Sequence, residues 1–184
     1  MGSTELLDRR RTCLLVVDVQ ERLLPVINQN ELLLQNIQNL VSGAGILGLP
    51  IIVSEQYPKG LGPTVAPLRG LLKKVSKLEK ITFSCMRDQP IADLIRKSSR
   101  DCILVCGTES HVCVLQTVLD ALGSGFRVHV AADAVSSRTQ ENKRIALDRM
   151  RQAGAVITST ESVLFELLEK AGTAEFKKIS ALVK

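Results

Sequence analysis

The stretch CILVCGTESHVCVLQTVLDALG, residues 102–123, changes character half-way along. Cys102 to Cys106 make a short, continuous apolar run, whereas Val114, Val118 and Ala121, with Leu115, Leu119 and Leu122, recur at helical spacing up to Gly123. A strand with no polar alternation suits a sheet covered on both faces, and a helix directly after it is the repeating unit of parallel α/β sheets. Cys113 stands at the junction. It is either a reactive thiol or a small apolar filler.

Working outward, the same unit recurs. CLLVV (13–17), PIIVS (50–54), RVHVA (127–131) and AVITS (155–159) are further strand-like runs, and KVSKLEK (74–80) is a weaker sixth. Helical patterns lie between them: Leu33, Ile37, Leu40, Val41 and Ala44; IADLIRK at 91–97; and Ile145, Leu147, Met150 and Ala153. Gly48, Gly123, Gly125 and Gly154 stand where a helix stops before the next strand. The pattern predicts an α/β fold, a single-domain, doubly wound, parallel six-stranded sheet with helices on both faces. Its core runs from about 12 to 170, and TAEFKKISALVK (173–184) forms an amphipathic tail. The segment EQYPKGLGPTVAP (55–67) holds three prolines and two glycines just after a strand's carboxyl end, the usual place for a ligand-lining loop.

Bulk properties exclude several classes. A chain of 184 residues, 45% hydrophobic and 23% charged, fits one globular domain, and no run approaches the roughly 18 apolar residues of a membrane span. Basic residues do precede the apolar run at 13–17, as in a signal peptide, but that run ends at Asp18, and Leu6 stands where a myristoylation pattern needs Ser or Thr. The expected location is cytoplasmic. Five cysteines make an odd set without the density of a disulfide framework and read as reduced. The net charge of +5 suggests nucleic acid, yet Lys73, Lys74, Lys77 and Lys80 are interrupted by apolar and acidic residues, and aromatics are only 3%. A solvated basic surface is the better reading, because stacking platforms are missing. His111 and His129 have no metal-ligand spacing with the cysteines, and KGLGP lacks the order of a dinucleotide fingerprint. No metal, cofactor or nucleotide is expected.

In a parallel sheet every strand ends at one edge, where Asp18 closes the first strand, Lys80 the third, and Cys113 follows the fourth. Cys113 lies in the first turn of its helix, where unpaired N–H groups and the dipole favour a thiolate. Each residue also has a bland reading: a helix cap for Asp18, a solvent-facing lysine for Lys80, a buried structural thiol for Cys113.

Taken together, LLVVDVQERLLP with Asp18, EKITFSCM with Lys80, and GTESHVCVLQT with Cys113 resemble the isochorismatase-like cysteine hydrolases over nearly the whole chain. SEQYPKGLGPTV and DAVSSRT are more narrowly similar to the isochorismatase domain-containing branch. The resemblance implies a catalytic triad of Asp18 as general base, Lys80 as cation and Cys113 as nucleophile. It also implies an oxyanion hole from the backbone N–H groups of Glu109 and Cys113, with a cis peptide between Thr108 and Glu109. Relatives with a metal carry an Asp and histidines after the second strand, where this sequence has SEQYPKG, so a metal-independent enzyme is implied. The implied reaction is hydrolysis of a small carboxamide or related C–N bond through a cysteinyl thioester. Two alternatives stand beside it: isochorismatase-type hydrolysis of a vinyl ether, which dedicated family members commonly perform without that cysteine, and a non-catalytic ligand-binding or scaffold protein. Gln20, Tyr57, Phe83 and His111 are expected to line the substrate pocket by position, and the family's habit implies a homo-oligomer, a dimer or larger.

Overall fold

The computed structural model describes residues 6–184. The reading of the first five residues lies outside that range. Six strands form one sheet in the order β3-β2-β1-β4-β5-β6, every neighbouring pair parallel. They are β1 (Thr12–Val17), β2 (Ile51–Gln56), β3 (Lys77–Lys80), β4 (Cys102–Thr108), β5 (Arg127–Ser136) and β6 (Val156–Thr158). The order runs outward in both directions from β1 and β4, so the crevice of a doubly wound sheet opens between the ends of those two strands.

The helices follow from the same alternation. α1 (Asn30–Leu47) buries Leu33, Ile37, Leu40, Val41 and Ala44 on one face of the sheet, together with α3 (Ala66–Leu71), α7 (Thr160–Leu168) and α8 (Ala174–Leu182). On the other face lie α4 (Gln89–Lys97), α5 (Leu115–Gly123) and α6 (Gln140–Gln152). β1 divides its side chains between the layers, Leu14 and Val16 to the first and Cys13, Leu15 and Val17 to the second. Being covered twice, the strand is apolar throughout.

The structure departs from the sequence reading in several places. β2 and β4 each extend two residues further than their apolar runs, and β5 continues through DAVS, with a register shift between Val105 and Gly107 where it pairs β4. The irregular segment after β2 holds the single-turn helix α2 (Pro58–Leu61) and the start of α3. In α6 the buried residues are Ala146 and Met150, while Ile145 is exposed. α7 was not anticipated, because its buried residues Val163, Leu164, Leu167 and Leu168 fill only two turns. The tail is packed rather than appended: Ile179 of α8 is fully buried, in the layer that also holds α1. All five cysteines are buried and free. Among the described residues no helix is long and apolar enough to cross a membrane.

Two constraints yield tests. Gly107 has φ +119°, and a Cβ there would lie 2.0 Å from the Val17 carbonyl oxygen. Gly107→Ala is expected to destabilise the fold by more than about 2 kcal/mol in urea denaturation, from backbone strain added to a clash that β1 cannot relieve. His129 in β5 is 2% exposed and neither ring nitrogen has a hydrogen-bond partner. Burial holds its pKa below the ordinary value despite Glu166, with Arg127 adding to the effect. The unfolded chain therefore binds this proton first, and stability falls as pH drops below about 6.5 toward the native value. Urea midpoints at pH 7.5 and 5.5 are expected to differ less in His129→Leu than in the wild type.

Candidate active site

The site forms at the crevice the topology predicts. Asp18 directly follows β1 and takes up a left-handed conformation, φ +50°. Strand alternation would send its side chain to the layer opposite Val17; the left-handed turn re-aims it, at a local cost of about 1–2 kcal/mol. The backbone there is held from both sides, by Asp18 N–H donating to the Ser54 carbonyl (3.1 Å) and by Thr108 Oγ1 donating to the Asp18 carbonyl (2.7 Å). Asp18 caps no helix: the next helical turn begins at Leu24 with Leu23 before it.

Lys80, the last residue of β3, is 2% exposed, so it is not a solvent-facing lysine. Its Nζ donates to Asp18 Oδ2 at 2.7 Å, and the charged parts of both side chains are excluded from solvent. The ammonium also reaches Gln56 Oε1 (2.6 Å) and the carbonyls of Thr82 (3.2 Å) and Phe83 (3.1 Å). Burial is the largest single influence and would lower the lysine's pKa, but Asp18, by charge and by hydrogen bond, and the neighbouring Cys85 and Cys113 together outweigh it, and the net direction is upward. The other carboxylate oxygen, Asp18 Oδ1, accepts from Ser54 Oγ at 2.7 Å, and Ser54 Oγ accepts in turn from Cys85 Sγ at 3.5 Å. Burial and the nearby carboxylate push the Cys85 thiol up to about 11.

Cys113 lies in a widened turn, Ser110–Val114, where the N–H groups of Val112 and Val114 both donate to the Glu109 carbonyl; α5 proper starts at Leu115. Such wide turns recur at functional sites. The Thr108–Glu109 peptide that leads into it is cis. Cys113 Sγ faces Gln56 Oε1 at 3.9 Å. The expected thiolate is corrected here: burial raises the thiol strongly, Asp18 adds to the rise by charge and by accepting its hydrogen bond, and Lys80 offsets only part. The carboxylate and desolvation outweigh the start of the helix and favour the neutral thiol over the thiolate.

The expected lining residues divide. Gln20 is fully buried and its amide is committed, Nε2 to the carbonyls of Gln56 (2.9 Å) and Gly62 (2.7 Å), and Oε1 to the Gln56 N–H (2.8 Å). It therefore holds the β2 end instead of facing substrate. Tyr57 and Phe83 are half exposed, and Tyr57, Pro58, Lys59, Glu79, Lys80 and Ile81 line an open cavity of about 340 Å³. His111 bonds Ser137 Oγ through Nδ1 (2.9 Å) on the far side, where Arg138 Nε holds Glu109 Oε1 (2.9 Å). Ser54, Gln56 and Cys85 were missed. The signal for the first two was available: they are polar residues two apart, on one face of the otherwise apolar start of β2.

Comparison with known proteins fits this geometry. The sequence model of the isochorismatase domain matches residues 12–162, a span that holds Asp18, Lys80 and Cys113. The chain belongs to the isochorismatase family. The secreted isochorismatase effector Isc1 of Phytophthora sojae is 42% identical over 175 residues, 93% of this chain and 83% of that protein. Isochorismatase domain-containing protein 2 of Danio rerio is 37% identical over 177 residues, 96% and 89% of the two chains. The MAR1 ribonuclease structure from Caenorhabditis elegans superposes with a TM-score of 0.91 at 36% identity, covering 97% of this isochorismatase-family chain and 92% of that one.

The buried pair gives a stability test. Lys80→Met leaves the Asp18 carboxylate without its counter-charge and is expected to cost about 3–5 kcal/mol at neutral pH. Lys80→Met combined with Asp18→Asn is expected to cost less than Lys80→Met alone, as read from urea denaturation of the three variants.

Proposed function

We propose that this isochorismatase-like hydrolase cleaves a small carboxamide or related C–N bond through a thioester on Cys113. The observation that carries the reading is a buried ammonium–carboxylate pair at 2.7 Å whose carboxylate lies near enough to Cys113 to raise its thiol. A cysteine so placed suits acyl transfer, because a carboxylate near it can take its proton.

The steps follow from the positions. As a carbonyl carbon approaches Sγ, the thiol proton passes to Asp18 and the S–C bond forms. The oxyanion lies against the N–H groups of Glu109 and Cys113, donors of a kind worth about 2.7–4 kcal/mol each. Asp18 gives the proton to the departing amine as the C–N bond breaks. Water then hydrolyses the thioester, its proton returning through Asp18 to sulfur, while Lys80 keeps the local charge balanced throughout. Tyr57, Pro58 and Ile81 supply an apolar rim to the cavity beside Lys80. The reading also takes the chain as a cytoplasmic homo-oligomer, supported by its five free cysteines and by the exposed apolar rim, and light scattering checks the assembly.

A panel of small primary and substituted carboxamides, scored by amine release, tests the proposal. The wild type is expected to turn over at least one member and to show an acyl adduct on Cys113 by rapid-quench mass spectrometry. Cys113→Ala and Asp18→Asn are expected to lose about a thousandfold or more. An RNA oligonucleotide belongs in the same panel, since the nematode neighbour is described as a ribonuclease. Cleavage of RNA with every carboxamide left intact, or wild-type turnover by Cys113→Ala, would sink the amide reading; ligand binding without any turnover would favour the non-catalytic one.

A further inference from the structure

Gln56 has no part in the triad, yet its side-chain oxygen sits between two of the triad's members. Oε1 accepts from Lys80 Nζ at 2.6 Å and faces Cys113 Sγ at 3.9 Å. The amide is fixed in this sense, because Nε2 donates to the Ile81 carbonyl at 2.8 Å and the opposite orientation would point an NH₂ group at the Lys80 ammonium. The backbone cannot drift either, since Gln20 bonds both the N–H and the carbonyl of Gln56.

We propose that Gln56 is a positioning residue that keeps the Cys113 sulfur protonated in the resting site. Its carbonyl oxygen receives the thiol proton readily and faces a thiolate with the negative end of its dipole, which favours S–H over S⁻. It also occupies the ammonium. Lys80 has three protons and four oxygen acceptors, so none is left over for sulfur. Without the Gln56 oxygen the ammonium has one oxygen fewer competing for its charge, and the sulfur loses both its proton acceptor and the opposing dipole, so the anion is disfavoured less. A nucleophile held this way is quiet until a substrate carbonyl approaches, when Asp18 takes the proton in the same step. The inference rests on Cys113 being the nucleophile and regulates that same group.

The test reads sulfur without substrate. Rates of iodoacetamide labelling of Cys113, assigned by peptide mass, are measured against pH in the wild type, Gln56→Met and Gln56→Glu, each checked for a cooperative thermal transition. Gln56→Met is expected to move the midpoint down by at least about one pH unit, giving about tenfold faster labelling at pH 7, and Gln56→Glu to move it up, with slower labelling. A residue that only braced Lys80 would alter turnover and leave the titration in place. Unmoved midpoints, or no labelling of Cys113 at any pH, overturn the proposal. If Gln56→Met does not fold, Gln56→Glu decides alone, an upward shift supporting the idea and an unmoved midpoint rejecting it. Because no substrate is present, the result stands apart from whether any carboxamide is hydrolysed.

Discussion

The contact between Lys80 and Asp18 governs this molecule. Two opposite charges lie out of water at 2.7 Å, an arrangement that Coulomb attraction alone sustains poorly, since the desolvation penalty is of similar size. The fold answers with additional hydrogen bonds: Ser54 on the second carboxylate oxygen, and Gln56 with two backbone carbonyls on the ammonium. Those partners come from β2 and the segment after β3, while β1 supplies the aspartate and β4 leads into the cysteine. The pair is thus possible only where these strand ends meet. That is the point at which the strand order reverses, and Gly107, by letting β4 approach Val17 so closely, brings the two central strands to it.

Chemically, the pair lies beside a sulfur whose surroundings favour the neutral thiol. Desolvation and Asp18 both favour the neutral thiol, and the cation is already saturated with oxygen. Cysteine enzymes of this design need not store a thiolate. They need a proton acceptor at hand when a carbon centre arrives, and in the proposed reaction that acceptor is the carboxylate that the lysine holds in place.

The architecture was legible because the strands are apolar on both faces and glycines end the helices between them. Runs such as CLLVV and CILVC admit few other readings. α7 escaped because four leucine and valine positions over two turns carry too short a period to separate from a loop. At the site, Asp18 and Lys80 stand out as charges that close apolar strands, and the order of the three motifs pointed to the residues of the proposed triad. The protonation of Cys113 was not legible: helix position argued for a thiolate, and the contrary desolvation arises only once chains distant in sequence close over it. Gln20 shows the same limit. Its place after Asp18 suggested a pocket wall, whereas three hydrogen bonds make it a brace.

That brace ties the loop after β2 to the end of the strand itself. Gln20 joins Gly62 to Gln56, the N–H groups of Glu21 and Arg22 bond the carbonyls of Pro63 and Leu61, and Glu55 holds Thr64. Grafting a relative's version of residues 57–64 onto this scaffold would consequently alter more than which molecules fit. It would tug on the strand end that carries Gln56, so the shape of the loop and the surroundings of Lys80 and Cys113 are mechanically linked.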